Sequence, residues 1–318
     1  LNFQNQNLVL KTFYNLFYNL FLNSNLVENK SFYSQVNLMT FNKNIFICWL
    51  QGEEHLNTHP KASLFNENLK NWQLLNPDWN VKLVSNSDLR NACKTFSKEC
   101  LALYDSFDLI HLKIDLGRYV MVYLYGGMYV DMDMYVLRSL KTSTKVQSLL
   151  DKASTNVHIL GLSTLNLDFQ ESFMFIGRPD VINNAMMIST KKNPLLFLAI
   201  QTIISKAKKY SNINSYSKIQ NSTGPVFINK FFAKFIDHPL TTKKFHIELF
   251  PHYYFEPTPP QGHSDIREET IAIHKMELSW IPPHIKTSIK FYYKIKPLIL
   301  PIVLPFVIIY LYKYVSHK

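Results

Sequence analysis

Residues 115–134 read DLGRYVMVYLYGGMYVDMDM. Upstream and through the first half, Phe107, Ile110, Ile114, Tyr119, Val122 and Leu124 recur near helical spacing. That periodicity predicts a helix over residues 105–125. Gly126-Gly127 ends it, because glycine adopts the left-handed cap conformation without a Cβ penalty. The stretch MYVDMDMYVL, residues 128–137, then reads as a strand. Strand side chains alternate between faces, so Met128, Val130, Met132 and Met134 point into a core. Tyr129, Asp131, Asp133 and Tyr135 share the opposite face.

Outward from this stretch the elements alternate. IFICWL, residues 45–50, is a short continuous apolar run before Gln51-Gly52 and predicts a buried strand. Residues 61–75 read as a helix broken by Asn76-Pro77-Asp78. Val81 to Val84 reads as a second strand, and Ser85 to Asp88 offer caps for a helix from about Leu89 to Leu103. Further helices are expected at 195–209 and 226–236, and residues 250–262, rich in Pro and aromatics, read as loop. Alternating strands and helices define an α/β domain.

Composition narrows the class. With 318 residues, 47% hydrophobic and 18% charged, the chain can bury a sizeable core and is not a disordered polymer. Eight glycines exclude a collagen-like or linker-like chain. The net charge of +11 lies entirely in residues 181–318, and six lysines with no acid follow from Lys286. A nucleic-acid binder more often carries its basic stripe through the folded domain, whereas a basic tail beside an apolar run suits a membrane surface. Three cysteines, Cys48, Cys93 and Cys100, provide no disulfide framework. On one continuous helix Cys93 and Cys100 stand roughly 10 Å apart, so they read as buried small hydrophobes.

Three segments are expected. Residues 1–44 hold the apolar run LVLKTFYNLFYNLFL at 8–22, either the end of a signal anchor or an amphipathic helix, and an Asn-rich linker. Residues 45–285 form the α/β domain. Residues 286–318 contain PLILPIVLPFVIIYLY, Pro297 to Tyr312, which as a helix is roughly 24 Å long against a ~30 Å hydrocarbon core. Counted from Ile295 to Val315, with Lys296 and Lys313 snorkelling, it is long enough to span as a single pass. A terminal helix docked on the domain is the alternative. Lysines on both sides leave the orientation open.

The chemistry is expected at Asp131 and Asp133. Two like charges on one strand face repel, and burial worsens this. A divalent cation resolves the conflict, and carboxylate oxygens suit Mn²⁺ or Mg²⁺. A solvated strand face is the simpler alternative. Glycosidase carboxylates must flank a bond from opposite sides, which neighbours on one strand do not. Asp115 and Arg118, three apart on one helix face, form either an ordinary ion pair or a polar contact for a sugar.

The order Asp115, Arg118, Gly126-Gly127, Tyr129, Asp131 and Asp133 resembles the D-x-D sugar-binding region of a glycosyltransferase family. That family includes initiating α-1,6-mannosyltransferases and inositol-phosphoceramide mannosyltransferases. NIFICWLQG is similar to its first strand, with Trp49 at the tryptophan that stacks on the nucleotide base and Phe46 where a histidine is usual. NWQLLNPDWNVKLVSNSDL, NNAMMISTKKNPLLFLAI, with Asn193-Pro194 for the usual His-Pro, NSTGPVFINKFF and IAIHKMELSW resemble further family segments.

The resemblance implies a GT-A type, Rossmann-like nucleotide-sugar-binding fold and a retaining, metal-dependent transfer. Asp131, Asp133 and His274 are then the metal ligands, with Mn²⁺ or Mg²⁺ as cofactor. Asp131, Asp133 and Arg118 carry the catalysis. Trp49, Asp115, Arg118, Gly127, Tyr129, Ser279 and Trp280 bind the donor. The expected partners are a nucleotide-sugar donor (GDP-mannose first, a UDP-sugar otherwise), a lipid or glycan acceptor and a membrane, with no nucleic acid. The expected location is at a membrane, as a single pass through the C-terminal segment, and endomembrane or Golgi-like if the source is eukaryotic or viral. A non-catalytic membrane-attached binding protein on the same scaffold is the competing reading.

Overall fold

The computed structural model of the chain describes residues 41–154, 157–168, 171–172, 176–177, 180–207, 215–236, 245–259, 262–276, 283–284, 287–289 and 291–296. The expected anchor at 8–22, most of the linker, Ser279, Trp280 and the apolar stretch from Pro297 lie outside these residues. Among the described residues no helix is long and apolar enough to cross a membrane.

The element order is β1 (Asn44–Cys48), α1 (Glu53–Thr58), α2 (Ala62–Leu75), β2 (Asn80–Val84), α3 (Asn86–Phe96), α4 (Lys98–Ser106), α5 (Ile110–Tyr125), β3 (Gly127–Val130), β4 (Met134–Val136) and α6 (Thr144–Ser154). After these come β5 (His158–Thr164), β6 (Ile182–Ser189), α7 (Pro194–Lys206), α8 (Ser215–Ser222), α9 (Pro225–Ile236), β7 (Phe245–Phe250), α10 (His252–Phe255) and β8 (Ala272–His274). Six strands form one mixed sheet in the order β2-β1-β3-β6-β5-β7. β1 pairs in parallel with β2 and β3, β6 runs antiparallel to both β3 and β5, and β7 is parallel to β5. The α/β expectation is met.

Burial explains the sheet order. Every residue of β6 is buried, and IFIC of β1 is buried throughout, as central strands covered on both faces require. Phe46 is buried opposite Tyr129 in the β1–β3 register, so the departure from histidine places an apolar ring inside the sheet.

Two expected elements are divided. The helix from Leu89 to Leu103 breaks at Ser97, whose backbone is extended at φ −168° and ψ 163°. Ser97 N–H closes α3 on the Cys93 carbonyl, and its hydroxyl accepts from Cys100 N–H to start α4. One serine therefore caps two helices, and the spacing assumed for Cys93 and Cys100 on a single helix does not apply. Both remain free and buried. The helix over 105–125 starts only at Ile110, because Phe107 and Leu109 are extended. Residues 250–262 contain the short α10.

The expected strand MYVDMDMYVL is also two strands. β3 ends at Val130, and Met134 N–H returns to the Asp131 carbonyl at 3.0 Å, which makes Asp131-Met132-Asp133 a turn. β4 then leaves the main sheet and pairs antiparallel with β8. The inward burial of Met128, Val130, Met132 and Met134 holds through the turn.

Gly126 and Gly127 make this geometry possible. Their φ values are +68° and +114°, and a Cβ on Gly127 would lie 2.4 Å from the Asn44 carbonyl oxygen. No side chain fits where β3 enters beside β1.

Candidate active site

The Asp131–Asp133 turn sits where β3 leaves the six-stranded sheet. Asp131 N–H bonds the Ala185 carbonyl of β6 at 2.9 Å, and Lys275 N–H bonds the Asp133 carbonyl at 3.0 Å. In the small sheet, Met134 pairs with His274. That register carries His274 to the motif across a long stretch of chain. Its Nε2 lies 3.3 Å from Asp133 Oδ1. From below, Asn68 of α2 donates to the carbonyls of Met132 (3.1 Å) and Met134 (3.0 Å) and accepts from Val136 N–H (3.2 Å). Trp72 Nε1 adds a bond to the Met134 carbonyl at 2.9 Å. The turn is thus clamped by side chains from a helix that precedes it by some sixty residues.

Arg118 joins the helix to the turn. Its guanidinium meets Asp115 Oδ1 at 3.0 Å and Asp131 Oδ1 at 3.2 Å, donates to the Asn184 carbonyl at 2.5 Å, and lies 4.5 Å from the Tyr129 ring centre. Tyr129 is buried, and its hydroxyl donates to Asp131 Oδ1 at 2.5 Å. Asp115 also accepts from Asn184 Nδ2 and Thr223 Oγ1, both at 2.9 Å. The pair read as either an ordinary ion pair or a ligand contact is a buried hub for both carboxylates.

Burial pushes the Asp115 carboxyl up to about 6, against the opposing pull of Arg118 and its hydrogen bonds. Asp131 is raised as well, by burial first, with Arg118 opposing and Asp133 adding to it. For His274, burial favours the neutral ring, but the carboxylates of Glu256 and Asp133 outweigh it and hold the imidazole well above its usual range.

Asp115, Arg118, Tyr129, Asp131, Asp133 and His274 line one cavity of about 1040 Å³. Trp49, His55, His59 and Phe65 form an aromatic cluster on its wall, with Trp49 5.6 Å from His55 and 5.5 Å from both His59 and Phe65 between ring centres. Elsewhere the lining includes Leu165, Leu167, Ile289, Tyr292 and Tyr293. Among the described residues, three buried side-chain polar atoms have no partner, Trp49 Nε1, Arg118 Nε and Gln220 Oε1, and all three residues line this cavity. Buried polar groups are nearly always bonded, so three orphans around one space mark it as built for a polar ligand. The Cys48 thiol on the same wall is pushed up to about 12 by burial, which favours the neutral thiol over a thiolate.

The donor set fits a divalent metal. Asp131, Asp133 and His274 offer ligand atoms within 4.8 Å of one another, two oxygens and one imidazole nitrogen. His274 Nδ1 is held by Glu256 Oε2 at 2.7 Å, an arrangement typical of metal-binding histidines. Of the residues expected from the sequence, Trp49, Asp115, Arg118, Tyr129, Asp131, Asp133 and His274 come together at the cavity. Gly127 acts by shaping the backbone. Asn68, Asn183, Asn184, Gln220, Thr223 and Glu256 were not anticipated. Thr223 stands in the recognisable NSTGP stretch, whereas Glu256 lies in a Pro-rich segment without any local pattern.

A family model described as glycosyltransferase sugar-binding region containing DXD motif matches residues 62–154. The resemblance drawn from the sequence is borne out over the segment running from α2 to α6, which is the part that matches this model. An uncharacterized glycosyltransferase of Acanthamoeba polyphaga mimivirus is 35% identical over 95 residues, 29% of this chain and 35% of that protein. Inositol phosphoceramide mannosyltransferase 3 of Schizosaccharomyces pombe is 24% identical over 155 residues, 49% of this chain and 36% of that protein. The chain thus spans about a third of the length of these curated relatives. Among solved structures, the PaToxG glycosyltransferase superposes with a TM-score of 0.41 at 12% identity, covering 65% of this chain and 76% of that one.

Proposed function

We propose that this chain is a metal-dependent, retaining glycosyltransferase of GT-A type that moves a hexose from a nucleotide-sugar donor to a lipid or glycan acceptor at a membrane. The observation that carries the reading is the meeting of Asp131, Asp133 and His274 with the Asp115–Arg118 pair on one cavity. Mn²⁺ or Mg²⁺, when bound, supplies positive charge to the leaving diphosphate.

The chain's own groups do the rest. Asp131 and Asp133 hold the cation with His274. Arg118 keeps Asp131 oriented and presents its unpaired Nε to the donor. Asp115, at about 6, is ionised at neutral pH and can accept from sugar hydroxyls. The Trp49 ring offers a stacking surface for the nucleotide base, and Gln220 Oε1 accepts a further hydroxyl proton. Exclusion of water by the buried walls limits donor hydrolysis.

Mannose, carried by GDP, is the favoured donor sugar, because a matched relative is an inositol phosphoceramide mannosyltransferase. The apolar lining at Leu165, Leu167, Ile289, Tyr292 and Tyr293 suits an acceptor with an apolar portion. The lysine-flanked apolar sequence after Lys296 supports attachment to a membrane beside it.

A donor-turnover screen across GDP-mannose and UDP-sugars with Mn²⁺, comparing wild type with Asp133→Asn, tests the proposal. GDP-mannose turnover that Asp133→Asn abolishes is expected. No turnover of any donor with either metal overturns the enzymatic reading, and a fully active Asp133→Asn overturns the metal assignment.

A further inference from the structure

We infer that Glu256 is a positioning residue for His274, fixing the imidazole so that Nδ1 keeps its proton and Nε2 faces the Asp131–Asp133 turn. The inference rests on the metal-dependent reading above and concerns a residue that no motif marks.

Glu256 is fully buried just beyond α10. A carboxylate taken out of water needs partners for both oxygens, and here each oxygen has them. Oε1 accepts from Asn183 Nδ2 at 2.8 Å and Ser163 Oγ at 3.2 Å. Oε2 lies 2.7 Å from His274 Nδ1. The two polar groups from β5 and β6 therefore lock the carboxylate, and the carboxylate locks the ring. With Nδ1 committed to donating, Nε2 is the nitrogen left to bind a cation, and it is the one facing Asp133. The β4–β8 register fixes only the His274 backbone beside the turn. The ring's direction is set by Glu256.

A carboxylate behind a ligating histidine raises its basicity and fixes its orientation, and its loss typically costs 10–100-fold in metal affinity. A purely structural Glu256 would affect folding and leave the cation's affinity alone. Glu256→Gln is the discriminating change, since the amide oxygen still accepts from Nδ1–H but carries no charge.

The experiment titrates Mn²⁺ into the full chain without donor and follows the free ion by electron paramagnetic resonance. Wild type, Asp133→Asn, Glu256→Gln and Glu256→Asp are compared. The expected result is loss of binding in Asp133→Asn, a 10–100-fold weaker dissociation constant in Glu256→Gln, and partial recovery in Glu256→Asp. If Glu256→Gln binds Mn²⁺ within twofold of wild type while Asp133→Asn does not bind, the role of Glu256 is overturned and the metal site stands. If wild type binds no Mn²⁺, both fall together. Should Glu256→Gln fail to fold, the wild-type protein still decides. With ¹⁵N-histidine and Mg²⁺, Nδ1 of His274 is expected to carry the proton, and a proton on Nε2 instead overturns the inference.

Discussion

Replacing Arg118 with methionine asks whether one guanidinium holds the site together. The wild-type side chain touches Asp115 at 3.0 Å and Asp131 at 3.2 Å, and it lies over the Tyr129 ring at 4.5 Å. Methionine keeps the length and removes the charge, leaving two largely buried carboxylates without their shared cation. Truncating one partner of a buried ion pair costs about 3–5 kcal/mol, and the lost ring contact adds roughly 0.5–2 kcal/mol.

The carboxylates escape part of this cost by taking up protons, which makes the loss depend on pH. Asp115 stands at about 6 while Arg118 opposes the effect of burial, so without Arg118 it rises further. A carboxyl raised above its unfolded value stabilises the fold at low pH and loses that contribution as pH climbs through the folded pKa. In wild type the loss is complete soon above 6. In Arg118→Met it continues upward, and two further units are worth about 2.7 kcal/mol. Urea denaturation at pH 5.5 and pH 8 measures this directly. The variant's deficit is expected to be larger at pH 8 by about 2–3 kcal/mol. Equal deficits at the two pH values, or one under about 1 kcal/mol at pH 8, would show that Arg118 does not compensate these carboxylates.

Asn68→Ala removes the side-chain partner of the Met132 carbonyl and the Val136 N–H and leaves the Met134 carbonyl to Trp72 alone; at about 1–3 kcal/mol per orphaned group, thermal melts should show a clear loss, with Mn²⁺ affinity falling at least tenfold. Thr223→Val removes a hydrogen bond that lowers the Asp115 pKa, so the acidic limb of the kcat/KM profile, expected near 6 in wild type, should move upward; an unmoved limb assigns it to another group. Gly127→Ala forces a side chain onto a φ of +114° and within 2.4 Å of the Asn44 oxygen, and chemical denaturation should register a loss of about 2 kcal/mol or more. Calorimetry of GDP or UDP should show at least tenfold weaker binding without Mn²⁺, and equal affinity with and without the ion would contradict the charge argument below.

What the sequence discloses here is what short-range pattern can carry. Helical spacing and the Gly-Gly pair locate α5 and its end, and the buried run IFIC locates β1. The break at Ser97 escapes the pattern because apolar spacing continues across it, and only the serine's double capping marks the boundary. The Asp131–Asp133 turn escapes for a related reason. Alternating burial persists through it, and no glycine, proline or asparagine signals a bend. Asn68 and Glu256 are invisible locally, since their roles exist only through contacts 64 and 18 residues away. Family resemblance supplies His274, because a single histidine near a strand end carries no signal of its own.

The electrostatics of the assembled cluster explain why these distant pieces belong together. Asp115, Asp131, Asp133 and Glu256 bring four negative charges, while Arg118 and His274 return two positive ones. His274 is shared by Glu256 and Asp133, and Arg118 by Asp115 and Asp131, so two negative charges remain in excess around the motif turn. A surplus of two in a partly buried space favours a dication over a monovalent ion. Were His274 Nε2 to hold the cation, it would give up a proton, and the net charge of the cluster would move from two negative to one. A donor diphosphate entering before the cation would meet the full surplus at close range. Entering afterwards, it meets a cation backed by the orphaned Nε of Arg118, with Lys275 on the same wall. On the proposed reading, this arrangement of charge favours an order of binding with the cation first and the donor second.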